Sequence, residues 1–137
     1  MKKKVLFICT HNSCRSQIAE ALLRHKFGDE YEAFSAGTIA TQVDPYSKKV
    51  LEEIGIDTSG MYSKSSERFM GIYFFKVVTV CDIAREACPF FPGAENYVHK
   101  GFRNPPILVR EEGMEPMEAF RKIRDEIGDW IENDFSP

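Results

Sequence analysis

Cys9 and Arg15 bracket Thr10-His11-Asn12-Ser13-Cys14, and Ser16 follows the arginine. A loop of that length between a sulfur and a guanidinium can wrap so that successive backbone N–H groups converge on one point, forming a nest for an anion. The planar fork of Arg15 can grip two oxygens of that anion at once. A helix starting just beyond the loop would add its unpaired donors and positive end to the same place. A thiol that ordinarily titrates near about 8.5 is expected to be largely thiolate in that field, with Ser16 donating a hydrogen bond to the sulfur. The chemistry is attack by Cys9 on a tetrahedral oxyanion held by Thr10, His11, Asn12, Ser13, Cys14 and Arg15. The plain alternative is a buried cysteine closing a strand, a common fate of an unpaired Cys.

Cys81 and Cys88 form a second pair of interest. Val77-Val78-Thr79-Val80 leads into Cys81, as Val5-Leu6-Phe7-Ile8 leads into Cys9. In a parallel sheet both sulfurs then emerge at the carboxyl edge, where ligands bind. The intervening stretch from Asp82 to Ala87 has helix-forming composition. A helix there would hold Cys81 and Cys88 about 10 Å apart, whereas a disulfide tolerates at most about 7 Å between Cα atoms. The pair therefore closes only if the segment unwinds, and Pro89, Pro92 and Gly93 make it short enough to do so. A structural pair, or a zinc site shared with Cys9 and Cys14, is the competing reading. The spacings fit zinc poorly, and Arg15 would repel the cation.

The elements that must position these groups alternate strand and helix. Strands are expected from Lys4 to Ile8, Tyr31 to Ser35, Phe75 to Val80 and Glu95 to Val98, and helices from Ser13 to Lys26, Pro45 to Ile54 and Pro116 to Asn133. Short helical turns are expected near Ser65 to Met70 and Asp82 to Ala87. Met117, Phe120, Ile123, Ile127, Trp130 and Ile131 recur at three- and four-residue spacing, a stripe suited to packing on a sheet. The expected fold class is α/β: residues 1–137 as a single domain, with a four-stranded mainly parallel sheet flanked by helices on both faces.

Composition narrows the function. With 137 residues, 43% apolar and 28% charged, the chain is an ordinary globular domain. A net charge of −3 argues against nucleic-acid or membrane-surface partners, which need a clustered positive face. Lys2-Lys3-Lys4 and the apolar residues after it are too short for a signal peptide. A cytoplasmic monomer is expected, in a compartment that keeps thiols reduced.

Cys9 through Gln17, Phe34-Ser35-Ala36-Gly37-Thr38, Val43-Asp44-Pro45, Glu53 through Asp57, and Thr79 through Pro89 together resemble the thioredoxin-coupled arsenate reductases, which share the low-molecular-weight protein tyrosine phosphatase fold. The resemblance implies that Cys9 attacks arsenic, that Cys81 attacks Cys9 to release arsenite, and that Cys88 attacks Cys81, leaving a disulfide for thioredoxin to reduce. Arg15 and Ser16 serve Cys9, arsenate or another tetrahedral oxyanion is the substrate, and no cofactor or metal is implied. The runner-up is a phosphatase forming a phosphoenzyme on Cys9; a third class is a thiol sensor that binds oxyanion without turning it over. Two positions depart from the pattern. Asn104 stands where the resemblance expects an aspartic general acid, and an amide cannot give up a proton at neutral pH. Lys64 stands where some members have an acidic residue that helps hold a monovalent cation with groups matching Asn12, Glu20 and Ser35. Lys64 would supply that charge itself, or it is a solvated lysine in a polar loop.

Overall fold

The structure is a computed structural model that describes residues 2–83, 85–87 and 90–137. Lys3–Cys9 (β1), Tyr31–Gly37 (β2), Phe74–Thr79 (β3) and Ala94–His99 (β4) form one sheet in the order β2-β1-β3-β4. Every neighbouring pair runs parallel, with Phe7 opposite Ser35 on one side and Val78 on the other. Because β1 sits between β2 and β3, the chain leaves it in opposite directions, and a crevice opens at the carboxyl ends of β1 and β3. Val5, Leu6, Phe7 and Ile8 are fully buried, as expected of a central parallel strand covered on both faces.

Arg15–Phe27 (α1), Pro45–Glu52 (α2), Pro105–Glu112 (α3) and Pro116–Phe135 (α4) are the α-helices among the described residues, with a 3₁₀ helix at Ser66–Phe69. Val5 and Phe7 point into a core shared with Ile18 and Leu22 of α1 and Ile123, Ile127 and Ile131 of α4. Phe7, Trp130 and Phe135 meet edge to face there, with centroids 5.4–6.2 Å apart. Leu6 and Ile8 point the opposite way, into a smaller core closed by Phe69 of the 3₁₀ helix and by Phe91. Each fully buried side chain of this size contributes about 1.5–3 kcal/mol relative to exposure.

The expected elements are present to within two residues at each end, with two differences. The helix expected from Ser13 begins at Arg15, and no side chain caps it at Cys14. Helix α3 is additional: Asn104-Pro105-Pro106 reads as a loop, yet Pro is at home in a first helical turn. The stretch from Asp82 to Ala87 carries the expected short turns in its described residues, with the Arg85 and Glu86 amides both donating to the Asp82 carbonyl (3.0 Å each).

Candidate active site

The turn between β1 and α1 is folded by side chains behind it. Asn12 takes a left-handed conformation (φ 54°), which Asn tolerates better than most residues. Its carboxamide is fully buried: Oδ1 accepts from Gln17 Nε2 (2.7 Å) and from the Lys64 backbone amide (2.8 Å), and Nδ2 donates to Ser16 Oγ (2.8 Å). That last bond occupies an acceptor position on Ser16, which directs the hydroxyl proton toward Cys9 Sγ, 2.9 Å away. The Ser13 carbonyl accepts from the Asp44 amide and from Ser47 Oγ (3.1 Å each), so the start of α2 clamps the loop. The His11 carbonyl accepts from Ser63 Oγ and Thr41 Oγ1. Gly37 explains the small residue at the end of β2: a Cβ there would lie 2.7–2.8 Å from backbone atoms of Thr10, His11 and Asn12.

A cavity of about 400 Å³ opens above the loop. Cys9, Thr10, His11, Ser13, Cys14 and Arg15 line it, with Arg85 and Glu86 on one side and Arg103 and Asn104 on the other. Of the residues expected to hold an oxyanion, Asn12 alone does not line it; its side chain shapes the loop from beneath. Cys9 is 2% exposed and a free thiol. The Cys14 thiol is pushed up to about 12 by burial, so it stays protonated at neutral pH and serves as a loop-filling group.

Arg15 is 4% exposed. Its two terminal nitrogens reach both oxygens of Glu86 (2.5 and 3.0 Å), and one also donates to the Phe102 carbonyl (3.2 Å). Arg15 Nε is buried without a hydrogen-bond partner among the described residues. Burial pushes the Glu86 carboxyl upward, but hydrogen bonds from Arg15, the Asp82 amide and Thr10 outweigh it and hold the group below its usual range. The sequence offers no local signal for this contact, because 71 residues separate its partners.

Cys81 follows the end of β3, where the Val80 amide donates to the Ile8 carbonyl (3.0 Å). Neighbouring strands lie about 4.8 Å apart, so Cys9 and Cys81 leave adjacent strands at the same edge, as expected. Cys81 is fully buried and disulfide-bonded. Cys88 lies outside the described residues.

Behind the loop, Lys64 is buried rather than solvated. Its Nζ donates to the Tyr62 carbonyl (3.0 Å) and lies 3.4 Å from Glu20 Oε1, which also accepts from Ser35 Oγ (2.5 Å). Burial pulls the Lys64 ammonium below its usual range, with Glu20 opposing. The positive charge therefore stands among the groups expected to surround a monovalent cation. Farther out, Phe91 enters the core, whereas Phe90 and Tyr97 stack on each other and stay exposed.

Residues 4–104 match the family model of the low molecular weight phosphotyrosine protein phosphatases. An arsenate reductase from Halalkalibacterium halodurans is 41% identical over 129 residues, covering 93% of this chain and 91% of that protein. The solved structure of an arsenate reductase in its phosphate-binding state superimposes with a TM-score of 0.77 at 29% identity, covering 97% of this chain and 95% of that one. A thioredoxin-dependent arsenate reductase from Corynebacterium glutamicum superimposes with a TM-score of 0.66 at 28% identity, over 96% of this chain and 61% of that one. With a cysteine-to-arginine loop on a strand-to-helix turn at the switch point of a four-stranded parallel sheet, the chain belongs to the low molecular weight phosphotyrosine protein phosphatase family, alongside relatives named arsenate reductases.

Proposed function

We propose that this protein is a cytoplasmic enzyme that reduces arsenate to arsenite through a relay of Cys9, Cys81 and Cys88, recycled by thioredoxin. Cys9 attacks As(V): an S–As bond forms and one As–O bond breaks, the oxygen leaving as water once protonated. Cys81 then attacks the Cys9 sulfur; the S–As bond breaks, its electron pair stays on arsenic, and As(III) departs as arsenite. Cys88 attacks Cys81, forming the Cys81–Cys88 disulfide and returning Cys9 as a thiolate. Two thiols are oxidised for one arsenic reduced by two electrons, and a dithiol donor such as thioredoxin resets the pair by exchange. Arg15 and the loop amides hold the oxyanion, and Ser16 hydrogen-bonds the Cys9 sulfur.

The observation that carries this reading is the thiol pattern: Cys81 in a disulfide while Cys9, on the adjacent strand, is free. That is the pattern expected once the relay has run and before the donor acts. The named activities of the relatives support it, and the Corynebacterium glutamicum relative supports the donor.

Phosphate-ester hydrolysis on Cys9 is the second reading, favoured by the family match. Asn104 opposes it, because a departing alkoxide or phenolate needs a proton that an amide cannot supply, whereas arsenate carries its own ionisable hydroxyl. The test is arsenite formation with thioredoxin, its reductase and reduced nicotinamide cofactor. Cys9→Ser, Cys81→Ser and Cys88→Ser should each abolish turnover. Phosphate-ester turnover that survives loss of Cys81 and Cys88, without arsenite formation by the wild type, would select the phosphatase instead.

A further inference from the structure

Glu86 has no part in the relay, yet it occupies the centre of the site. It lies five residues after Cys81, in the segment between the two relay thiols. Its carboxylate offers two oxygens to the two terminal nitrogens of Arg15, the same fork that would grip a tetrahedral oxyanion. Thr10, a member of the anion loop, spends its hydroxyl proton on the same carboxylate (3.0 Å). The Asp82 amide donates to the other oxygen (2.9 Å), which fixes the carboxylate to the turn that follows Cys81.

We propose that Glu86 is an internal competitor for the oxyanion grip, a carboxylate that holds Arg15 while Cys81 is disulfide-bonded and must leave before an oxyanion can bind. The inference rests on the reading of the Cys9 loop as an oxyanion site. Two physical points carry it. Arg15 is nine-tenths buried and cannot turn outward to serve a second partner, so a carboxylate and an oxyanion on its fork exclude each other. The carboxylate also leaves Arg15 Nε without a partner, so an oxyanion that engages Nε gains a bond that Glu86 does not make. Displacement is then possible, but costs the two bonds from Arg15 and those from Thr10 and the Asp82 amide.

The placement gives the reaction a direction. The turn that presents Glu86 belongs to the segment between Cys81 and Cys88, and a continuous helix over that segment would hold the two thiols too far apart to bridge. With the disulfide closed, Glu86 blocks rebinding of oxyanion to an enzyme that has no reducing equivalents to spend. Reduction frees the segment, and with it the grip. Glu86 is thus an affinity-setting residue for this site rather than a catalytic one.

The probe is inorganic sulfate, a tetrahedral oxyanion the relay does not reduce, titrated calorimetrically into oxidised and dithiothreitol-reduced full-length protein. Oxidised Glu86→Gln should bind sulfate about tenfold or more tightly than oxidised wild type, the scale of one lost charged hydrogen-bonded competitor. Reduction should tighten binding by wild type and leave Glu86→Gln nearly unchanged. Glu86→Asp, one methylene short of the fork, should fall between them. A residue that merely braced the loop would instead weaken binding in both redox states when replaced, which would overturn the proposal. Equal affinity of oxidised wild type and Glu86→Gln would overturn the role of Glu86 and leave the oxyanion site standing. Absence of sulfate binding by every form would overturn both.

Discussion

Replacing Asn104 by Asp puts a carboxyl at the cavity position where the resemblance expects a general acid. Asn104 lines the cavity with Cys9 and Arg15, and as the N-cap of α3 it makes no side-chain cap hydrogen bond. The exchange therefore adds an acid without breaking a cap hydrogen bond. General acid assistance contributes about 10²–10⁴ in rate where the leaving oxygen needs its proton. The amino end of α3 favours the ionised carboxyl by about 0.3–1 kcal/mol, which removes a factor of roughly 2–5. What remains is roughly 20-fold to several thousandfold for phenyl phosphate hydrolysis. Arsenate reduction should rise less, within about tenfold, because the departing hydroxyl brings its own proton. Steady-state rates on both substrates at pH 5.5 and 7.5 measure this. The gain should be larger at the lower pH, where more of the new carboxyl is protonated. Rates equal to wild type on both substrates, or a gain that grows with pH, would refute an acid role at this position.

Other perturbations probe the surroundings of the loop. Cys14, whose thiol burial pushes up to about 12, should resist iodoacetamide up to pH 9 while other thiols are modified, as read by peptide mapping; rapid Cys14 labelling at pH 8 would contradict its burial. Because Lys64 already places a positive charge beside Glu20, arsenate reduction should not change when potassium is replaced by a large organic cation. Lys64→Met should lower unfolding stability by about 1–3 kcal/mol, since Glu20 loses its buried positive partner; strong potassium dependence of the wild type would contradict the substitution. Hydrogen bonds from Arg121 and Arg124 hold the Glu53 carboxyl down at about 2, so its contribution to holding α2 against α4 is present above the ordinary carboxylate range and fades as pH falls toward 2. The Tm gap between wild type and Glu53→Gln should shrink over that window, and a gap that widened on acidification would contradict the pairing.

The parts of this protein legible in its sequence are those whose signal is contiguous. The run Val5 to Ile8, the spacing of Cys9 and Arg15, and the Ile123-Ile127-Ile131 stripe each announce an element and the face it buries. Helix α3 escaped that reading because two prolines open it and Leu108 is its one fully buried apolar side chain, too few to show a period. Composition suggested short helical turns after Cys81, and the described residues carry them, with the Glu86 side chain accepting from the Asp82 amide at their start. Glu86 itself was out of reach, since only the sheet order brings the segment after β3 beside the loop after β1. Lys64 lay between these extremes: its sequence context suggested a charge substitution, and burial distinguishes that from a solvated lysine.

The relay is tested most directly by stopping it halfway. Cys88→Ser, fully reduced and then given a single charge of arsenate, should release one equivalent of arsenite and accumulate a Cys9–Cys81 disulfide recoverable as one linked peptide pair, with no such pair formed when arsenate is omitted. Arsenite release without that linkage, or linkage that forms equally without arsenate, would contradict the transfer from Cys9 to Cys81.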